Sequence, residues 1–342
     1  MLSPRENLIA ALEGERPEWI PFTIYNDFVK FAEGGHDPAW ETLFRSGLAL
    51  VMHPETVHWE WPGVEHIWSD AVWEGRPARR LTLRTPRGEM TELYAGWQQE
   101  YRLKTKEDYA RMAVLVREVR LSLRPEQFLD LERRSETFGL PLAYLGRSPW
   151  QTIVVDWAGL ENLSYHMAEN WPEIEDLALA LEEKMLEAAR LLASGPGRYV
   201  SLLENLTAEQ WGPERFRCRH LPFYEKLCAV LHAAGKKVYA HFDGKTACLA
   251  QLVAQSALNG IESLTEPPEG DQTMAQARAA WPASSSGSTS MSRTTGCLRR
   301  SWLSACAGSF ATARPAAGSW PWRCPRTCRP TGARESRRCW RG

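Results

Sequence analysis

Hydrophobic and polar positions fall into two regimes along this chain. From residue 140 onward, short apolar runs alternate with longer stretches of helical period. Residues 140–145 read as a strand, and Ser148-Pro149 opens a helix. Residues 172–193 place Ile174, Leu177, Leu181, Met185, Ala188 and Leu192 on one helical face. Residues 199–203 read as a strand, 223–234 as a helix closed by Gly235, 237–241 as a strand, 246–257 as a helix and 261–264 as a strand. Another helix begins over 273–280. Strand and helix in turn, with short joints, predict parallel strands linked by right-handed crossovers.

The first half is less regular. Ser3-Pro4-Arg5-Glu6 is a helix start, with Ser as N-cap, Pro in the first turn and Glu completing a capping box. Leu8, Ile9 and Leu12 form its apolar face, and Gly14 ends it. Residues 19–24 read as a buried strand and 48–52 as a second apolar run. Residues 56–101 are Trp-rich and alternating, and Thr85-Pro86-Arg87-Gly88 has hairpin chemistry. They predict a β-hairpin excursion rather than a domain. Residues 104–116 and 126–138 read as helices. This spacing over 342 residues predicts an α/β fold, a (β/α)8 TIM-type barrel. A doubly wound sheet is the alternative. No Gly-x-Gly-x-x-Gly follows the first strand, so no nucleotide cofactor is expected.

Composition is ordinary overall, 44% hydrophobic and 24% charged, which excludes whole-chain disorder. No apolar run is long enough to cross a bilayer, and the charged start lacks a signal peptide's apolar stretch. A cytoplasmic protein with no membrane partner is expected. The averages hide a break, however. Residues 1–282 hold 30 Lys and Arg against 41 Asp and Glu, whereas residues 283–342 hold 11 Arg and a single acid, Glu335. That last segment has no Ile or Val but five of the eight cysteines, so it lacks the aliphatic volume of a core.

An arginine-rich nucleic-acid arm, a metal or disulfide module around Cys324 and Cys328, and a plain disordered extension all account for part of this. A frame-shifted translation accounts for more. One base earlier, the codons of Trp, Cys, Phe and the TCN serines give apolar residues, and AGR arginine codons give Glu, Gln or Lys. Residues 283–342 are therefore expected to be an aberrant, disordered tail. The barrel's closing elements would be lost, and no nucleic-acid partner is expected.

In such a barrel the chemistry comes from the carboxyl ends of the strands. Those ends carry Arg147 and Ser148, then Glu204 and Asn205, then His241, Asp243 and Gly244, then Glu262, Thr265, Glu266, Glu269 and Asp271. His241 with Asp243, Glu204 and Glu262 could ligate a divalent metal, zinc or another. Alternatively, His241 and a carboxylate form a general acid–base pair. The expected catalytic groups are His241, Asp243 and Glu204, with Asn205, Arg147 and Glu266 binding substrate. Blander roles compete: Asp-Gly is often only a turn, and Glu204 could cap a helix. His53, His58 and His66 are expected to be packing or surface residues, His232 structural and His220 a helix boundary. Cys218, Cys228 and Cys248 lack metal-ligand spacing; Cys228 and Cys248 are expected on helices, as small core residues.

These residues also carry a likeness. Ser3-Pro4-Arg5-Glu6-Asn7-Leu8 with Glu15-Arg16-Pro17-Glu18-Trp19-Ile20-Pro21 resembles the start of the uroporphyrinogen decarboxylase superfamily. So do Gly146-Arg147-Ser148-Pro149, Leu221-Pro222-Phe223-Tyr224, and Ala234-Gly235-Lys236-Lys237 leading into His241-Phe242-Asp243-Gly244. The resemblance covers residues 1–282 and implies a (β/α)8 barrel, in a superfamily of haem-pathway decarboxylases and corrinoid-linked methyltransferases. The decarboxylases have Arg-Gln-Ala-Gly-Arg soon after the first strand, where this chain has Thr23-Ile24-Tyr25-Asn26-Asp27-Phe28. They also have an Asp by the second strand, where it has Ala49-Leu50-Val51-Met52-His53. A polyanionic tetrapyrrole would lack its cationic partners.

The methyltransferase branch holds zinc through His-x-Cys and a later Cys. His241-Phe242-Asp243 keeps the His and replaces the thiolate by a harder ligand. The resemblance thus implies metal-assisted methyl transfer between a corrinoid carrier, on a corrinoid protein, and a small-molecule substrate. Uroporphyrinogen decarboxylase-type decarboxylation in porphyrin metabolism and a non-catalytic truncated barrel are the alternatives.

Overall fold

Strands lie where the apolar runs predict them, and their order positions the site. The computed structural model describes residues 1–34 and 37–281. The segment 283–342 read as aberrant, and with it the expected loss of closing elements, lies outside the described residues. The strands begin with β1 (Phe22–Tyr25) and β2 (Leu48–Met52). β3 (Val57–Glu60), β4 (Glu65–Trp73), β5 (Arg76–Thr85), β6 (Gly88–Ala95) and β7 (Trp97–Glu100) follow. Next come β8 (Arg120–Leu123), β9 (Gly139–Pro141), β10 (Ala143–Gly146), β11 (Tyr199–Leu202), β12 (Lys237–His241) and β13 (Gly260–Glu262).

The fold is mixed α/β with parallel sheets. One sheet runs β1-β2-β9 and another β10-β11-β12-β13, with every pair parallel. The strand expected at 140–145 is thus shared between two sheets. Pro141 has no N–H to give to a ladder, and Leu142 still donates its own to the carbonyl of Met52 at 2.9 Å. Six parallel strand positions therefore follow one another in chain order. The excursion is larger than a hairpin. β4-β5-β6-β7 form an antiparallel meander, and β3 pairs antiparallel with β8. Its tight turn is built as read: the Thr85 hydroxyl donates to the Gly88 carbonyl at 2.7 Å, and Gly88 takes φ +116°.

Helices cover the outer face of the parallel strands. The first, Pro4–Glu13, has the full Ser3/Glu6 capping box and ends at Gly14 in the left-handed region. The longest, Pro172–Ser194, buries the apolar stripe expected for it. After Ser148-Pro149 the chain makes a short α-turn, Pro149–Gln151, and then a π-helix, Thr152–Ala158, instead of a plain helix. The stretch expected as one helix over 246–257 splits into a 3-10 turn, Ala247–Leu249, and the helix Ala250–Gln255. Among the described residues no helix is long and apolar enough to cross a membrane.

β2, β9, β11 and β13 are buried on both faces, whereas the first strand, expected to be buried over 19–24, starts at Phe22, exposes that side chain and Ile20, and buries no residue fully. Leu145, Val200, Leu202, Val238, Ala240 and Ile261 join the large cluster beneath the helices. Ala49, Val51, Leu140, Leu142, Tyr199 and Tyr239 form a second cluster with Leu8 and Leu12, against which Tyr25 packs. Residues two apart share a strand face, so this second, inner cluster lies on one common face of β1, β2, β9, β11 and β12. The first helix closes its amino-terminal end: Tyr239 donates its hydroxyl to the Leu12 carbonyl at 2.7 Å, and Tyr199 donates to Glu13 at 2.6 Å.

Candidate functional site

The alternation that places Tyr239 in the inner cluster carries His241 to the same face at the carboxyl end of β12. His241 is in register with Glu262 of β13, and Tyr239 with Ser201 of β11. Ser201 donates to the Glu262 carboxylate at 3.1 Å, with both side chains fully buried. The same Glu262 oxygen lies 3.5 Å from Nδ1 of His241, and Asp243 lies 3.9 Å from Nε2 on the other side of the ring. His241 is 12% exposed and Asp243 42%, so the imidazole is walled in with Asp243 toward solvent. Of the expected residues, the fold brings together His241, Asp243 and Glu262.

Arg147 and Asn205 extend this group. Arg147 donates to the Asn205 side-chain oxygen at 2.9 Å and pairs with Asp156 of the π-helix at 3.3 Å. Asn205 donates in turn to Asp243 at 3.1 Å. Asn205 has φ +48°, a left-handed conformation Asn tolerates better than most residues, and its N–H donates to the His241 carbonyl at 2.9 Å. Both residues were expected on substrate; here their side chains hold Asp243 in place. Burial pushes the Asp156 carboxyl up, against the opposing pull of Arg147 and Arg102.

Glu204 is not part of the cluster. Its fully buried carboxylate accepts from the backbone and hydroxyl of Ser148, at 3.0 and 2.9 Å, and from Tyr224 at 2.9 Å. Burial raises its pKa to about 7, against the lowering effect of those donors. The Ser148 hydroxyl also lies 3.3 Å from Nδ1 of His220, whose burial lowers its pKa to about 3. Glu204 was expected as a ligand and catalyst. β11 ends at Leu202, which belongs to the cluster under the helices, and Glu204, two residues on, joins a polar network on that side. Glu266 accepts from the Met274 N–H at 2.9 Å, at the start of the helix Met274–Ala280.

Tyr25, Tyr144 and His53, the last expected to be only a packing or surface residue, extend the group around His241. The Tyr25 hydroxyl lies 3.2 Å from that of Ser263, and its ring is 6.4 Å from His241 and 5.6 Å from His53. The His53 ring is in turn 6.2 Å from Tyr144. Burial lowers the His53 pKa, leaving that ring neutral at pH 7, and burial raises that of Tyr25. His53 directly follows β2, so the strand-end rule that finds His241 also finds His53. Its neighbourhood in the Trp-rich excursion obscured this.

His53 Nε2, His241 Nδ1 and Glu262 Oε2 are buried without a hydrogen-bond partner among the described residues. Unsatisfied buried polar atoms mark places where water or a ligand belongs. Among the described residues no three His, Cys, Asp or Glu side chains converge in a metal-binding group. The donors facing one another across Nε2 are two, His241 and Asp243, fewer than the three protein ligands of a catalytic zinc. No protein-family model, curated protein or solved structure matches the chain.

Proposed function

We propose that the chain is a group-transfer enzyme of the uroporphyrinogen-decarboxylase-like barrel type, with His241 as its general acid–base. Support for a barrel comes from the six parallel positions in chain order, the shared inner cluster and the Tyr25–Ser263 contact between the first and last of those strands. The observation that carries the function is the placement of His241 between two carboxylates at the strand ends. Glu262 lies 3.5 Å behind Nδ1, leaving Nε2 to exchange a proton with the substrate. Asp243, held by Asn205, fixes the reacting group beside Nε2.

In the methyl-transfer version, the acceptor's proton goes to His241 Nε2, its electron pair forms the new bond to the methyl carbon, and the bond from methyl to its carrier breaks with the pair staying on the carrier. A methyl carried on a corrinoid protein is the co-substrate that the resemblance implies. Two donors do not complete a zinc site, so no step is assigned to a metal. Decarboxylation of a porphyrinogen is the weaker reading, because Arg147 is already committed to Asp156 and Asn205.

The test is turnover by the full chain of a methylated corrinoid with small thiol, amine and hydroxyl acceptors, followed by the corrinoid's visible spectrum. Metal content is measured on the same preparation. His241→Gln is expected to lower turnover by about 10²-fold or more. Equal turnover in His241→Gln, or none in the wild type with any acceptor, would overturn the reading. Stoichiometric zinc lost in Asp243→Asn would replace the metal-free version with the metal-assisted one.

A further inference from the structure

We infer that the mouth around His241 takes a small ammonium ion with at least one N–H, a protonated amine, as its substrate: the proton leaves to His241 Nε2 and the freed lone pair takes the methyl group. The inference rests on the group-transfer reading above and names its substrate class. Four rings, His241, Tyr25, His53 and Tyr144, follow one another with centroids 6.4, 5.6 and 6.2 Å apart. Successive rings are tilted by 42°, 46° and 65°, so they make a wall of tilted rings with no stacked pair. Two carboxylates, Glu262 and Asp243, flank this wall within 4 Å of the His241 ring.

The mouth has no matching positive charge to spare. Arg147, the basic side chain in this network, is paired with Asp156 and bonded to Asn205. His53 is held neutral by its burial. Among the described residues of the mouth, an anionic substrate would meet two carboxylates and no unpaired Lys or Arg. A cation gains attraction from the carboxylates and from the electron-rich ring faces, the combination by which aromatic cages hold quaternary ammonium groups.

A second observation points to a ligand in the same place. Glu262 Oε2 and His53 Nε2 are buried, belong to this wall and its flank, and have no partner among the described residues. A carboxylate oxygen is an acceptor only, and a neutral imidazole offers one acceptor nitrogen. An ammonium group bearing N–H donors satisfies such atoms. A fully methylated one has no proton to lose and no lone pair to take a methyl group, so it serves as a probe of the charge and shape of the site.

The experiment is calorimetric titration of the full chain with tetramethylammonium, methylammonium, the neutral isostere 3,3-dimethylbutanol, acetate and zinc. Both ammonium ions are expected to bind. The neutral isostere should bind about tenfold more weakly and acetate not at all. Tyr25→Leu and Asp243→Asn should each weaken ammonium binding by about threefold to tenfold. Asp243 is partly exposed, so its variant reports on charge without disturbing the core. Equal binding of the isostere, binding of acetate, no effect of either variant, or zinc binding that excludes the ammonium ions would overturn the inference. If the ammonium ions fail to bind while turnover still requires His241, the substrate class is wrong and the group-transfer reading stands. If they bind while His241→Gln turns over normally, the reverse holds.

Discussion

The phenol oxygen of Tyr25 lies 3.2 Å from the hydroxyl of Ser263, 238 positions further along the chain. Tyr25 ends β1 and Ser263 directly follows β13, so this contact joins the carboxyl ends of the first and last parallel strands described. Ser263 has φ +61°, an unusual conformation for a non-glycine residue, and is placed there by the turn out of β13. The pair is expected to couple energetically. In a double-mutant cycle with Tyr25→Phe and Ser263→Ala, urea unfolding should give a coupling of about 1 kcal/mol. Strict additivity would mean that the hydroxyls are neighbours without a bond.

Leu12 belongs to the inner cluster although it lies on the ten-residue helix at the chain's start. It is fully buried, and its backbone carbonyl receives the Tyr239 hydroxyl. Leu12→Ala should leave a cavity that the strand ends cannot fill and cost about 3 kcal/mol. Leu129, half exposed on the helix Glu126–Arg134, should tolerate alanine within about 0.5 kcal/mol. Thermal unfolding of the two variants makes the comparison. Similar losses would mean that the first helix does not plug the strands.

The parallel strands were legible because β2, β11 and β12 are short apolar runs bounded by helices of clear period. Which strand-end residues share a face was harder to read. His241 and Glu262 are in register on neighbouring strands and meet. Glu204 shares their strand-end location but lies on the opposite side of β11, two residues on from Leu202 of the cluster under the helices. Residues two apart share a face, so parity along the strand, and not the strand-end position alone, decides which groups meet. The meander was under-read because β4 exposes residues on both faces, so its sequence shows no clean alternation. Tyr25 lies one residue beyond the strand read at 19–24, and nothing in its local pattern signals the 6.4 Å contact of its ring with His241, 216 positions on.

Asn205 bridges Arg147 and Asp243 from a left-handed backbone conformation, and the two roles can be separated. Asn205→Gly removes the bridge but accepts φ +48° freely. Asn205→Ala removes the bridge and adds backbone strain, which should make it about 1 kcal/mol less stable than the glycine variant. Both should lower turnover alike if the bridge positions Asp243. Full turnover in the glycine variant would confine Asn205 to a backbone role.

Glu204 and His220 sit in one buried network and respond oppositely to pH. Burial pushes the folded Glu204 up to about 7 from the ordinary 4.5. Between those values the folded chain holds a proton that the unfolded chain has released, so its contribution to stability grows as pH falls from 7 to 4.5. Burial pushes the folded His220 down to about 3 from the ordinary 6.5. Below 6.5 the unfolded chain gains a proton that the folded one refuses, so stability is lost as pH falls toward 3. Each slope is about 1.4 kcal/mol per pH unit, and from 6.5 to 4.5 they cancel. In Glu204→Gln the histidine slope stands alone from pH 6.5 downward, on top of a pH-independent cost for the unmatched Ser148 donor. Urea unfolding of both proteins from pH 7.5 to 4 should therefore show the wild-type advantage rising by about 1.4 kcal/mol per unit between pH 7 and 4.5, then levelling off. A difference that stays constant over that range would mean that Glu204 is ionised in the folded protein throughout.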